Sequence, residues 1–264
     1  MKSMTLLLPV LTTIITGCAL PPEDDAASSP ASLEPASSEQ ASELSGSAIR
    51  GLPDTCFAEL FDPLGSHLVR LDLATETITV TPDSFDNDFG LSSLGLVQNH
   101  LVACSFPNAD AVDILDLATG IHTQVPMPCD SATALGDKIY VHDLFGGSLT
   151  EFADLRALIA NTPLRTLAAL FASRLGAGDH RLLAAWHSDD EAIALDLETG
   201  VSKAIPLPGY DGWIFGLFEN PRVRLLAGGW VETGIYVYDT ASGQLIRRLF
   251  EGTFLQGLAC SSLP

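Results

Sequence analysis

Cationic side chains are scarce in this chain. Its 264 residues include 13 Lys and Arg against 33 Asp and Glu, a formal net charge of −20. From residue 51 onward the counts are 11 and 27, so the imbalance belongs to the body of the chain rather than to a tail. A surface of that sign repels phosphate backbones and anionic headgroups, which argues against a nucleic-acid partner. Also missing are G-x-S-x-G, H-E-x-x-H, C-x-x-C and a phosphate-binding loop, so no hydrolase, zinc-peptidase, dithiol or nucleotide motif is present. The apolar run at residues 5–15 falls well short of the roughly twenty residues that span a bilayer. Hydrophobic residues nevertheless make up 47% of the chain, enough to bury a sizeable core.

What is present begins at the N-terminus. Lys2 supplies a positive charge ahead of the apolar run at 5–15, the pattern of an export signal. The run ends in Ile15-Thr16-Gly17-Cys18, which resembles the lipobox of bacterial lipoproteins. That resemblance implies removal of residues 1–17, lipid on Cys18, and attachment to a membrane through the N-terminal lipid. Ala19 stands where lipoproteins kept in the inner membrane often carry Asp, so the expected location is the cell envelope, at the outer membrane, facing periplasm or cell surface. Residues 18–50 hold only Leu20, Leu33, Leu44 and Ile49 as large apolar side chains. A segment so poor in apolar mass cannot offset the entropy of ordering it, so it reads as a disordered tether with a reach of roughly 30 Å.

Residues 51–264 carry one short phrase repeatedly: Asp72-Leu73-Ala74-Thr75, Asp116-Leu117-Ala118-Thr119-Gly120, Asp196-Leu197-Glu198-Thr199-Gly200 and Asp239-Thr240-Ala241-Ser242-Gly243. A weaker copy runs from Ser148 to Leu155, with Asp154 at the expected place. Each full copy follows an apolar run. The phrase suits a β-hairpin turn, in which Asp accepts from backbone N–H groups ahead of it and Gly takes the left-handed conformation. These aspartates are therefore expected to be structural. Gly95, Gly136, Gly176, Gly216 and Gly257 recur about forty residues apart, mostly beside leucine, as fits a crowded inner strand, with the turn before Lys138 as the alternative place for Gly136.

A period near forty with several short strands per unit is the signature of a β-propeller. The expected fold is all-β, a propeller of five four-stranded blades. The first copy lacks an inner strand and the last has one to spare, so the two ends are expected to complete one blade and leave no open sheet edge. Once Cys18 is set aside, four cysteines remain in an exported chain, and their places in the repeat pair Cys56 with Cys260 and Cys104 with Cys129.

The runs from Gly234 to Gly243 and from Ala192 to Gly200 resemble the YVTN-type repeats of secreted bacterial β-propellers. The resemblance implies fold more than function. Quinoproteins of related architecture follow the D-x-x-T-G phrase with a docking tryptophan. Here Ile121, Val201 and Gln244 follow it, which disfavours a quinone cofactor.

The expected inner strands, residues 91–96, 131–135, 170–176, 213–217 and 254–258, contain Arg174 as their one charged side chain, which argues against a pair of catalytic carboxylates. No catalytic residue is assigned. Candidate ligand contacts are Phe61, Phe106, Phe145, Trp186 and Trp230, which recur at comparable places on loops where second strands end. Asp83, Asp86 and Asp88, with Asn87, form an acidic loop able to offer oxygen ligands to calcium, although the spacing is not that of an EF-hand. His187, Asp189 and Asp190 are adjacent in a turn and diverge too much for a concerted site. The leading expectation is a monomeric, non-enzymatic binding or scaffolding module for an envelope protein or glycan, without cofactor. The alternative is a calcium-assisted, lactonase-like hydrolase.

Overall fold

Residues 52–53, 55–63, 65–82, 85, 91–105, 110–168, 174–178, 180–185, 191–210, 214–220, 224–229 and 234–261 are described by the computed structural model. The first strands are β1 (Cys56–Asp62), β2 (Gly65–Asp72) and β3 (Thr77–Val80). They are followed by β4 (Leu91–Val97), β5 (His100–Ser105), β6 (Ala111–Asp116) and β7 (His122–Pro126). Next come β8 (Ser131–Leu135), β9 (Lys138–Asp143), β10 (Ser148–Phe152), the short helix α1 (Leu155–Ile159) and β11 (Arg165–Ala168). The remainder is β12 (Arg174–Ala177), β13 (Arg181–Ala185), β14 (Glu191–Asp196), β15 (Ser202–Pro206), β16 (Ile214–Asn220), β17 (Arg224–Gly229), β18 (Ile235–Asp239), β19 (Leu245–Leu249) and β20 (Phe254–Cys260).

These strands form a β-propeller arrangement of antiparallel meanders. Three sheets have four strands, in the orders β20-β1-β2-β3, β4-β5-β6-β7 and β8-β9-β10-β11. The fourth has eight: β15-β14-β13-β12 is joined to β16-β17-β18-β19 by one parallel pair, Ala177 with Phe218. The expected five separate four-stranded sheets are thus corrected to four, one of them double. The physical reason is Gly176. A Cβ there would sit 2.2 Å from the Leu217 carbonyl oxygen, so only glycine lets β12 come close enough to β16 to pair.

Chain ends meet in the first sheet. Cys56 stands opposite Cys260 and Phe61 opposite Phe254 in the β1–β20 register, and disulfides join Cys56 to Cys260 and Cys104 to Cys129. Strands β4, β8, β12, β16 and β20 are mutual neighbours, each next to the following one and β20 next to β4, so they form a closed inner ring. Between consecutive meanders lie five buried apolar clusters. One is centred on Val69, Phe218 and Val237, and others on Leu68 with Leu101, Val112 with Ile139, Tyr140 with Leu182, and Ala192 with Tyr236. Each sheet is buried on both faces by its neighbours. That is why β6 and β18 read as near-continuous apolar runs rather than alternating ones.

The repeated phrase forms the turns expected of it. Asp72 Oδ1 accepts from the Ala74 and Thr75 amides at 2.9 and 3.0 Å, and Asp196 Oδ1 from those of Glu198 and Thr199 at 2.9 and 2.8 Å. Asp116 takes the Ala118 amide and the Thr119 hydroxyl, both at 2.8 Å. Gly120, Gly200 and Gly243 follow with φ near +70°. The weaker copy departs from this. Asp154 caps α1, accepting from the Ala157 amide at 2.8 Å, so the same forward-bonding carboxylate starts a helix instead of a hairpin.

Donation from the backbone, chiefly Thr75, Ala118 and Thr199 respectively, holds the carboxyls of Asp72, Asp116 and Asp196 below their ordinary 3.8. A carboxyl lowered by folding contributes stability that is present above the unfolded value and is lost as pH falls through the folded one. Acid unfolding is therefore expected to steepen below about pH 4. Asn keeps the turn acceptor but does not titrate, so Asp116→Asn with Asp196→Asn should flatten the fall in denaturation midpoint between pH 4 and 2. An unchanged slope would contradict the assignment.

Candidate functional site

The ring of inner strands encloses a cavity of about 680 Å³ toward their C-terminal ends. All five strands contribute to its wall, which is mostly apolar, with Leu94 and Leu96 from β4, Leu135 from β8, Ala177 from β12, Phe218 from β16 and Leu258 from β20. A volume of that size suits a small-molecule ligand. Close approach of the strands is set by glycine at all but one station. A Cβ on Gly95 would meet the Ala134 nitrogen at 2.5 Å and one on Gly216 the Leu258 nitrogen at 2.7 Å, while Gly257 is less crowded, with Leu94 Cβ at 3.2 Å.

The exception is β8. Gly136 lies in the turn after it with φ +62°, and Thr133 takes the inner station, as its pairing with Tyr140 matches that of Gly95 with Val102. Of the two places open to Gly136, it takes the turn before Lys138. Thr133 is 1% exposed and lines the cavity, and its hydroxyl has no hydrogen-bond partner among the described residues.

Polar groups ring the mouth, on or beside the turns between first and second strands. Gln98, Asp137, His180 and Glu219 each come from a different meander, and Ser261 follows β20. Gln98 and His180 adopt φ of +53° and +58°, as the tight hairpins there demand of residues other than glycine. Gln98 Nε2 donates to Asp137 Oδ1 at 3.3 Å. Glu219 forms a two-pronged ion pair with Arg181, whose Nε donates to Oε2 at 2.8 Å, and its side chain is only 5% exposed. Lys138, beside Asp137 in sequence, pairs instead with Glu151 at 2.6 Å, and Arg165 joins them. Burial pushes the Glu151 carboxyl up, but donation from Lys138 and Arg165 outweighs it and leaves the group below its usual range.

Deeper along the ring, hydroxyls stitch inner strands together. Ser93 Oγ donates to the Ala132 carbonyl at 2.8 Å, Ser131 Oγ to Ser93 Oγ at 2.9 Å, and the Leu175 amide to Ser131 Oγ at 2.7 Å. Arg174 opens β12 at that end. Burial pulls its guanidinium down to about 10, against the opposing pull of Asp130, so it stays charged at neutral pH.

The anticipated site residues are not gathered here. Phe61 is half-buried in β1, and Phe145 is 89% exposed in the turn between β9 and β10. Phe61 lies near the turn between β1 and β2, so both sit at second-to-third-strand turns or beside them, at the opposite end of the sheets from the cavity mouth. Phe106, Trp186 and Trp230 lie outside the described residues, as do Asp83, Asp86 and Asp88 and the His187, Asp189, Asp190 group. Among the described residues no group of three His, Cys, Asp or Glu side chains is placed to hold a metal ion. Arg174 is not the one inner charge, because β16 runs on to Asn220 and brings Glu219 into the ring. Sequence reading missed Gln98, Asp137, His180 and Glu219. The signal for them is a constant offset, three or four positions after Gly95, Thr133, Gly176 and Gly216.

No family model matches the chain, and no curated protein matches it either. Among solved structures it is similar to a catalytically inactive virginiamycin B lyase from Staphylococcus aureus with quinupristin. The TM-score is 0.43 at 13% identity, covering 74% of this chain and 70% of that one. It is also similar to a chain of a nidogen/laminin complex, with a TM-score of 0.45 at 13% identity, covering 78% and 97%. Likenesses at this level carry no functional weight. Strand order and the closed inner ring define the class: a β-propeller with a ligand-sized axial cavity.

Proposed function

We propose that this chain is an envelope lipoprotein, processed before Cys18 and held to the outer membrane by lipid on that residue, whose propeller is a binding module for a small ligand. Lys2, the apolar run at 5–15 and the Ile15-Thr16-Gly17-Cys18 sequence support the anchor. Residues 18–50 then act as a tether. In this reading the propeller is a monomer. The observation that carries the binding role is the cavity, to which every inner strand contributes wall and four meanders contribute a polar side chain at the mouth.

Two experiments test this. Metabolic labelling with an alkyne fatty acid should mark the wild-type chain, and Cys18→Ser should abolish both the label and membrane fractionation; a labelled Cys18→Ser variant would contradict the anchor. Leu135 is half-buried in the wall near the mouth, so Leu135→Trp should fill the entrance with little harm to the core. Ligands that raise the melting temperature of the wild type should lose that effect in Leu135→Trp. Equal shifts in both proteins would place binding elsewhere.

A further inference from the structure

We infer that the axial cavity selects organic cations: ligands with an apolar body and an ammonium head, the head held at the mouth by Asp137 and a polar group further in by Thr133. This rests on the cavity being a binding site, and it adds the chemical class of ligand.

The charges around the mouth do not balance. Arg181 is occupied by the buried Glu219. Lys138, the next nearest cation in sequence to the rim, is committed to Glu151 together with Arg165. Asp137 is left with the neutral amide of Gln98 at 3.3 Å, and no cation pairs with it among the described residues. One carboxylate thus faces the entrance uncompensated, in a body whose 27 acidic and 11 basic residues already set a negative field. Low-dielectric walls of leucine, alanine and phenylalanine focus such a field along the axis. An anionic ligand is repelled at the mouth, and no Lys or Arg is among the residues that line the cavity. A neutral one gains only apolar burial. An ammonium gains a charge-assisted hydrogen bond to Asp137 while its body covers the walls.

Thr133 is the second, independent sign. Buried hydroxyls are normally satisfied, and this one, in the cavity wall where the other inner strands carry glycine, has no partner among the described residues. A ligand heteroatom reaching it completes the bond.

Three near-isosteric probes separate the terms: tryptamine, tryptophol and indole-3-acetate, titrated by calorimetry into the mature chain in 0.15 M salt. Tryptamine is expected to bind about tenfold tighter than tryptophol, the increment of one charge-assisted contact, with indole-3-acetate weakest. Asp137→Asn, which keeps the turn, should bring tryptamine to within about twofold of tryptophol and leave tryptophol unchanged. Thr133→Val, an isosteric loss of the hydroxyl, should weaken tryptophol. Equal binding of amine and alcohol, both lost in Leu135→Trp, would overturn cation selection and leave the cavity reading intact. Amine binding that survives Leu135→Trp would overturn both, and failure of all three probes to bind would overturn the inference.

Discussion

Removing the disulfide between Cys56 and Cys260 is expected to destabilise the protein by about 5 kcal/mol, the loop-closure value for a cross-link spanning about two hundred residues. Both sulfurs are buried, so the test is Cys56→Ala with Cys260→Ala, since serine would add an unsatisfied hydroxyl to the core. The bridge joins β1 to β20, the only seam at which the ring is closed by chain ends rather than by a continuous chain. Its partners there are sheet hydrogen bonds and the Ser261 amide donating to the Thr55 carbonyl at 2.9 Å. Between the first sheet and the last meander, Glu76 accepts from the Phe250 amide at 3.2 Å and pairs with Arg247. Those contacts hold the folded ring but do nothing to restrict the unfolded chain, which is where the disulfide acts. Cys104→Ala with Cys129→Ala, a loop of 25 residues, should cost less, about 3.5 kcal/mol. Urea unfolding of the two variants should give that order; the reverse order would mean that the seam does not close the ring.

The second large effect is expected at Gly176. Valine there places Cβ 2.2 Å from the Leu217 carbonyl oxygen and 2.6 Å from Leu217 Cβ, and the backbone oxygen cannot move without parting β12 from β16. The cost should exceed the usual overpacking range and reach at least about 3 kcal/mol, because the double sheet has to split. Gly136→Ala is the control. It forces a left-handed alanine but meets nothing within 4 Å, so it should cost only about 1–2 kcal/mol. Equal midpoints for the two variants in denaturant titration would show that Gly176 is not a point of contact between meanders.

Much of this fold is legible in local chemistry. The Asp-x-x-Thr-Gly turns are readable because a short carboxylate bonding to amides two and three residues ahead needs nothing from the rest of the molecule. The inner strands are readable because crowding at an axis imposes glycine repeatedly. Where glycine has two uses, the sequence leaves both open: Gly136 serves a left-handed turn, while the crowded station belongs to Thr133. Asp154 is ambiguous for a like reason, since forward bonding caps a helix as readily as a hairpin. The joining of two meanders into one sheet depends on a single pair of residues, Ala177 and Phe218, which no repeat pattern encodes.

The cavity is less legible. Gln98, Asp137, His180 and Glu219 share a position but not a residue type, so composition does not flag them. Their meaning depends on which end of the ring stays open, a consequence of packing the inner strands rather than of any motif. Aromatic residues drew attention to the opposite turns instead, and of that set the structure describes Phe61, half-buried, and Phe145, exposed on a separate meander.

The most direct measurement is a peptide map of the non-reduced chain by mass spectrometry. Closure of the ring by the two chain ends predicts one linked pair containing Cys56 and Cys260 and another containing Cys104 and Cys129. Linkage of Cys56 to Cys104 or Cys129 would contradict it, and with it the inner ring and its cavity.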